Sequence, residues 1–413
     1  MQLEFGESAR SSLGVEWELA LVDADSGDLR QVAQTVLDAV APADGSAHPT
    51  IRQELLLNTV ELVTGVCSDV GEAMDDLDRS VATVREVTDP LRVELMSAGT
   101  HPFAHWAHQK VTNKERYGTL IDRTQWWGRQ MMIYGVHVHV GVESRDKVLP
   151  IIGAMLTYYP HLLALSCSSP YWNGRDTSYA SNRALLFQQL PTAGLPFTEI
   201  DSWPKLERYV ADLVHTGVID SFDEVRWDIR PSLKFGTIEM RIFDGITNRT
   251  ELAALTALTH CLVEWLSRRL DAGETLPRIS PWFLQENKWR AARYGMEAIV
   301  IVDEAGNEEL VTDALARLLD QLAPVAAELH CSAELAGVAD LIRHGASYQR
   351  QRRVAASVPS QGSPGAPSAM EAVVASVVEE FRRGRALPVS EFEAEPAGEP
   401  GARGQESRWS GGS

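Results

Sequence analysis

Three short stretches of this chain alternate between polar and apolar residues with a period of two, and that pattern constrains the fold more than any other feature. In GVEWELALV (14–22), Glu16 and Glu18 fall on one face of a strand while Val15, Trp17 and Leu19 fall on the other. GVHVHVGV (135–142) sets His137 and His139 against Val136, Val138, Val140 and Val142. TIEMRIFDG (237–245) places Thr237, Glu239, Arg241 and Phe243 on one side and Ile238, Met240 and Ile242 on the opposite side. Each strand therefore has a face to bury and a face that carries charge.

Between these strands the spacing turns helical. QVAQTVLDAVAP (31–42), residues 71–91, NKERYGTLIDRTQWWGRQ (113–130), 147–167 and 250–271 all read as helices. ELLLNTVELVT (54–64) reads as a long strand, and VRWDIRPS (225–232) as a short strand that turns at Lys234 to Gly236 into the next. Residues 169–187 show no clear period, a Pro-rich connection follows, and helical patterns continue to about residue 348. The composition then changes. Residues 357–368 read as a linker, 370–385 as one peripheral helix and 386–413 as a disordered tail. The expected organisation is one folded unit over 1–356 and a dispensable remainder over 357–413, with no internal repeat.

At 413 residues and 44% hydrophobic side chains, the chain can bury one large core or two ordinary ones. A net charge of −19 disfavours nucleic acid, whose phosphates draw affinity from clustered Lys and Arg. The first residues lack the basic start and apolar block of a secretory signal, and no membrane span stands out, so a cytoplasmic protein without membrane contact is expected. The four cysteines, Cys67, Cys167, Cys261 and Cys331, have no C-x-x-C spacing and read as buried, reduced thiols.

Paired carboxylates such as Glu16 and Glu18 either face water or gather round a cation, because burying unpaired charge is costly. Each histidine alone could be structural, and Glu239 with Arg241 could be an ion pair along one strand. Glu61, inside the apolar run VELVTG, is hard to explain as surface. Glu54 lies seven residues earlier, so an unbroken strand would send the two to opposite faces and a bulge would be needed to unite them. Glu16, Glu18, Glu61 and Glu239 with one histidine make an oxygen-dominated ligand set that suits Mg²⁺ or Mn²⁺. Several such ions beside an arginine are the usual apparatus of phosphoryl transfer. No G-x-x-x-x-G-K-[ST] and no G-x-G-x-x-G opens a helix, so any ATP must be held through metals. Arg175, Arg183, Lys234, Arg290 and Arg293 are further candidates for phosphate or substrate carboxylate, each with a solvated or structural role as the alternative.

GVEWEL, ELLLNTVELVTG, GVHVHVG, GRDTSYASNR and RPSLKFGTIEMRIFDG, in this order across residues 14 to about 300, resemble the glutamate-cysteine ligase type 2 family of bacterial carboxylate-amine ligases. The resemblance implies an α+β, glutamine-synthetase-like fold, in which a curved antiparallel sheet forms a funnel covered outside by helices. It also implies metal ligands Glu16, Glu18, Glu61, His137 and Glu239, with Glu54 and His139 as further candidates. Arg241 would hold phosphate, with Arg183 and Lys234 as further cofactor-binding candidates and Glu61 beside the chemistry. ATP with Mg²⁺ or Mn²⁺ would be the cofactors. The γ-carboxylate of glutamate would become γ-glutamyl phosphate and be opened by the amine of cysteine or another acceptor. Partners would be small molecules, and a homodimer the possible assembly.

Two other enzyme readings keep parts of the pattern. A zinc hydrolase on His137-x-His139 would need more nitrogen ligands than the four placed glutamates leave room for. A phosphotransferase resembling guanidino kinases would keep the metals and Arg241 but release a phosphorylated product. A binding protein, with the acids merely decorating a sheet, would bind neither Mn²⁺ nor ATP.

Overall fold

The computed structural model describes residues 2–359, 368–388 and 390. The chain opens with β1 (Leu13–Asp23), whose alternation appears as predicted, then α1 (Ala33–Val40) and the hairpin of β2 (Ile51–Gln53) and β3 (Thr59–Val63). Next come α2 (Val70–Thr88), β4 (Val93–Met96), α3 (Glu115–Arg129), β5 (Gly135–Gly141) and α4 (Arg145–Ser166). Residues 169–187, which lack a sequence period, hold the two-residue strands β6 (Tyr171–Trp172) and β7 (Arg175–Asp176) and the helix α5 (Asn182–Phe187).

The Pro-rich connection contains a helix that the periodicity reading passed over, α6 (Trp203–His215), which buries Trp203, Leu206 and Val210. After it come β8 (Ile229–Ser232), β9 (Thr237–Asp244), α7 (Arg249–Asp271), α8 (Pro281–Tyr294), β10 (Ile299–Ile301) and β11 (Glu308–Leu310). The described part ends with α9 (Val311–Glu328), α10 (Ser332–His344), α11 (Ser347–Ser357) and α12 (Ala369–Arg383).

The main sheet runs β2-β3-β1-β5-β9-β8, with β4 also paired to β1, and every pairing is antiparallel. Strand β1 is long enough to hold two neighbours along one edge, β5 at residues 13–17 and β4 at residues 20–23. Val15, Trp17, Leu19, Val138, Val140, Ile238 and Met240 are all buried on the apolar face, where α4 and α7 pack. Helix α4, read from the sequence as a helix over 147–167, is long and apolar enough to cross a membrane by length and composition, although the sequence reading marks no span there. Most of it is buried inside the protein, as befits a core helix. All four cysteines are buried and unbridged, and the Cys261 and Cys331 sulfurs lie 3.5 Å apart.

Helix α12 departs from the reading of a peripheral helix. It starts on a capping box of Ser368 and Glu371 and ends on the left-handed Gly384 at φ 66°. Between these caps it buries Val373, Val374, Val377 and Phe381, and the Phe381 ring lies 4.9 Å from the ring of Trp17 on β1. Its Glu380 accepts from the buried Arg350 at 2.7 Å, and Arg350 also pairs with Glu251 of α7 at 2.7 Å. A charged triad sealed from water in this way keeps its stability only while all partners are present. The expected linker and tail lie mostly outside the described residues.

Removing residues 368–413 should therefore destabilise the folded chain. Phe381→Ala alone should cost about 3–5 kcal/mol, seen as a lower urea midpoint. An unchanged midpoint for both changes would show that α12 adds nothing to the core.

Candidate functional site

The charged faces of β1, β3, β5 and β9 line up because the antiparallel register puts like next to like. Glu18 stands directly opposite Glu61, Glu16 opposite His137, and His139 opposite Glu239. A slip of one residue would turn every one of these side chains into the core. Like charges directly opposite in a sheet repel, so an arrangement of this kind calls for a proton or a cation between them.

Glu54 reaches the same cluster by a route the sequence did not disclose. The run 54–64 is not one strand. Residues 54–58 form the turn between β2 and β3, so a hairpin takes the place of the bulge that uniting Glu54 with Glu61 was thought to need. The turn is tied from outside: Leu57 N donates to the Lys110 carbonyl at 2.9 Å, and Thr112 Oγ1 donates to the Glu54 carbonyl at 2.7 Å.

The donor atoms fall into three overlapping groups, each within 4.8 Å: Glu16, His139 and Glu239; Glu16, Glu61 and His137; and Glu18, Glu54 and Glu61. Glu16, Glu18, Glu54, Glu61 and His137 line a cavity of about 670 Å³, and His139 and Glu239 join them behind Glu16 without lining it. His137 Nδ1 donates to Glu16 Oε2 at 2.6 Å, and burial pushes its imidazole down to about 4, so the ring is neutral and Nε2 keeps its lone pair. His139 Nδ1 bonds Thr237 Oγ1 at 2.8 Å, while its buried Nε2 has no hydrogen-bond partner and lies 3.5 Å from Glu16 Oε1. His139 thus presents one nitrogen to Glu16 while Thr237 orients it through the other, as metal-binding histidines usually are held, whereas His137 meets Glu16 through Nδ1 itself.

Burial raises Glu18 to about 8, with the charge of Glu54 adding to it. Burial likewise raises Glu54, and it raises Glu61 well above the ordinary range, helped there by Glu16, Glu54 and Glu18. Glu16 and Glu239 go the other way. Burial would raise both, but the hydrogen bond from His137, with His139 close by, holds Glu16 low, and Arg241 and Arg230 hold Glu239 low. Anionic and proton-seeking carboxylates side by side fit a site for divalent cations, which would replace the protons.

Arg241 pairs with Glu239, as the strand pattern allowed, and faces the cavity. Arg230, opposite Glu239 in the register, grips the other side of that carboxylate at 2.7 Å. Arg183 is 3% exposed and lies against Gly135, where a Cβ would stand 2.3 Å from its Nη2, so the glycine makes the close approach possible. Its Nη1 donates to the Arg241 carbonyl at 3.2 Å, and its buried Nε has no partner.

Lys234 does not join the site. It lies in the β8–β9 turn, exposed, over the Phe235 ring, and does not line the cavity. Arg290 pairs with Glu286 and Glu308, Arg293 holds the Ser178 carbonyl, and Arg175 is exposed on β7, all away from the cavity. The sequence reading missed Arg116, Tyr117 and Arg226, which line the cavity wall. Arg226 could have been found, since Arg226, Asp228 and Arg230 alternate with Val225, Trp227 and Ile229.

For the metal-free protein the pH dependence follows in sign. A carboxyl whose folded pKa is raised stabilises the fold below its unfolded value, near 4.3, and loses that contribution as pH rises through the folded value. From pH 7 to 9, above the titration of unfolded histidine, the melting temperature in EDTA should fall through the Glu18 transition. Glu18→Gln should flatten the fall, and an identical slope in the variant would contradict the assignment.

Comparison with known proteins agrees with this architecture. The model of the glutamate-cysteine ligase family 2 matches residues 12–380. A protein of Paenarthrobacter aurescens strain TC1, named provisionally as glutamate-cysteine ligase 2-2, is 57% identical over 389 residues, covering 93% of this chain and 99% of its own. One of Mycobacterium sp. strain KMS, named provisionally as glutamate-cysteine ligase 2-1, is 59% identical over 354 residues, covering 86% and 93%. Among solved structures, glutamate-cysteine ligase of Francisella tularensis in complex with AMP superposes with a TM-score of 0.66 at 13% identity, over 95% of this chain and 91% of that one. A bifunctional glutathione synthetase from Pasteurella multocida superposes with a TM-score of 0.63 at 14% identity, over 90% of this chain and 52% of that one. These two likenesses bear on the fold alone, which is α+β around an antiparallel sheet of the glutamate-cysteine ligase kind. The family match over nearly the whole folded chain settles the class: this chain belongs to the glutamate-cysteine ligase family 2 and is a ligase.

Proposed function

We propose that the chain is an ATP-dependent carboxylate-amine ligase that activates the γ-carboxylate of L-glutamate as an acyl phosphate and joins it to the amine of L-cysteine. The observation that carries this reading is the convergence of five glutamates and two histidines in three overlapping donor groups, of which Glu16, Glu18, Glu54, Glu61 and His137 line one cavity with Arg241 and Arg183. Family membership supports ligase chemistry, and the AMP complex of the Francisella tularensis protein, which shares the fold, supports a nucleotide as ligand. Cysteine as acceptor rests on the relatives' names.

The three donor groups would hold Mg²⁺ or Mn²⁺, which, when bound, neutralise the ATP phosphates and make the γ-phosphorus open to attack. The protein's own residues then divide the work. Glu16, Glu239 and His139 form one ligand set; Glu18, Glu54 and Glu61 form another; Glu16 and Glu61 with His137 link them. Glu16 is shared between two groups, so the spacing of the sites follows from the β1 pleat. Arg241, kept in place by Glu239, carries positive charge to the developing phosphoryl transition state, and Arg183 adds a second guanidinium from beneath β5. The glutamate carboxylate attacks the γ-phosphate, ADP leaves, and the acceptor amine opens the acyl phosphate with loss of a proton and release of phosphate.

Purified protein with MgATP and glutamate should release ADP slowly without an acceptor, and hydroxylamine should trap a γ-glutamyl hydroxamate. ADP release on other substrates without any hydroxamate would favour the phosphotransferase instead.

ATP titrated in EDTA should give little heat, since no P-loop exists to hold it. The Mn²⁺-induced rise in melting temperature should grow from pH 6 to 8, because the ion must displace protons from Glu18 and its neighbours. Tight metal-free ATP binding would defeat this reading of the acids.

Glu239→Gln should raise the Mg²⁺ concentration needed for turnover. Arg241→Ala should leave metal affinity nearly intact and lower the rate about a hundredfold, the usual cost of losing one preorganised charge of roughly 3 kcal/mol. If the pair were only structural, both changes would lower the melting temperature alike with normal turnover in the folded fraction, and reversing both charges would restore part of the loss.

A further inference from the structure

Resting on the ligase reading above, the structure points to the segment 220–226 as the place where the head group of an α-amino acid substrate is held: we propose that Arg226 takes its carboxylate and that Asp220 and Asp223 face its ammonium. Arg226 lines the cavity as a half-buried guanidinium with no carboxylate in ion-pair range among the described residues. Its Nη1 donates to the main-chain carbonyls of Glu224 at 3.0 Å and Pro191 at 3.3 Å. Among the described residues its other nitrogens have no protein acceptor. A planar fork with one prong held by the backbone and the rest unpaired is shaped to receive a carboxylate.

The mount is rigid. Arg226 N donates to Thr192 Oγ1 at 3.1 Å, and Thr192 is held at φ 64°, a left-handed conformation that costs a β-branched residue energy. The next residue, Trp227, is 1% exposed and bridges Gly194, and Asp228 N donates to the Gly194 carbonyl at 2.8 Å. Burial, with Arg241, Arg230 and Arg123 near it and outweighing Glu224, pushes the Arg226 pKa down, as befits a cation short of counter-charge.

Asp220 and Asp223, both exposed, line the same cavity, and among the described residues their carboxylates have no hydrogen-bond or ion-pair partner. A cation and two free acids within seven residues complement a zwitterion. For a polyphosphate the acids would be repulsive, which is why the amino acid is the preferred ligand over the nucleotide.

The test compares Arg226→Gln, Arg226→Lys and the double change Asp220→Asn with Asp223→Asn against the unaltered full chain. It reads KM for ATP, L-glutamate and L-cysteine, calorimetric binding of each amino acid and of MgATP, and melting temperature. Arg226→Gln should raise KM and Kd for one amino acid about tenfold to a hundredfold, with kcat within about threefold, and Arg226→Lys should recover part. The aspartate double change should weaken the same amino acid but not its desamino analogue, glutarate for glutamate or 3-mercaptopropionate for cysteine. Which amino acid responds tells donor from acceptor. A rise confined to ATP, unchanged constants throughout, or a uniform loss tracking melting temperature would overturn the assignment. Arg226-dependent amino-acid binding without ADP release on any amino acid would instead remove the ligase reading and leave the head-group site standing.

Discussion

Two carboxylates, Glu18 on β1 and Glu61 on β3, face each other across an antiparallel pair with Glu54 beside them, and much of the remaining site depends on making that tolerable. Three buried acids cannot all be ionised without counter-charge. In the metal-free protein protons supply the relief, which is why burial lifts all three. A sheet that stored this repulsion for no purpose would gain stability by replacing any one of them with a hydrophobic residue. On the proposed reading, divalent cations would take the place of those protons.

The fold answers that repulsion on its other face. The valines, isoleucines and Trp17 beneath the charged row are sealed by α4 and α7, and the sheet is held at the register on which the acids depend. Helix α12 extends the same seal from the far end of the chain, with Phe381 against Trp17 directly behind Glu16 and Glu18. The C-terminal helix and the first strand are thus one packing unit, although more than 300 residues separate them. Arg350, caught between Glu251 and Glu380, ties that unit to α7.

Around the acids the arginines are graded by how far their charge is already met. Arg230 spends its charge on Glu239, and Arg241 shares the same carboxylate while facing the cavity. Arg183 sits deep, opposite Glu18, with Nε unbonded, and Arg226 has only carbonyls for partners. An anion entering this cavity would meet charges whose compensation decreases away from β9, an electrostatic order that favours anions between the clustered acids and the wall.

The period-two strands, the faces they expose and the residues Glu16, Glu18, Glu61, His137, His139, Glu239 and Arg241 were legible in the sequence. Side-chain direction in a strand is set by the pleat and needs no tertiary information. The family pattern was legible for a related reason, since each motif is a contiguous run, on one strand in GVEWEL and GVHVHVG and across a turn in RPSLKFGTIEMRIFDG. What the sequence could not settle were matters of distance across the chain. Glu54 joins Glu61 only because 110–112 hold 54–58 as a turn; Lys234 misses the cavity because its turn projects outward; α12 becomes core because Trp17 offers it a surface. Arg226 reaches the cavity wall because Pro191 and Thr192 hold it there. Local periodicity specifies which way a side chain points, whereas what it points at depends on loop paths and packing that only the assembled tertiary structure decides.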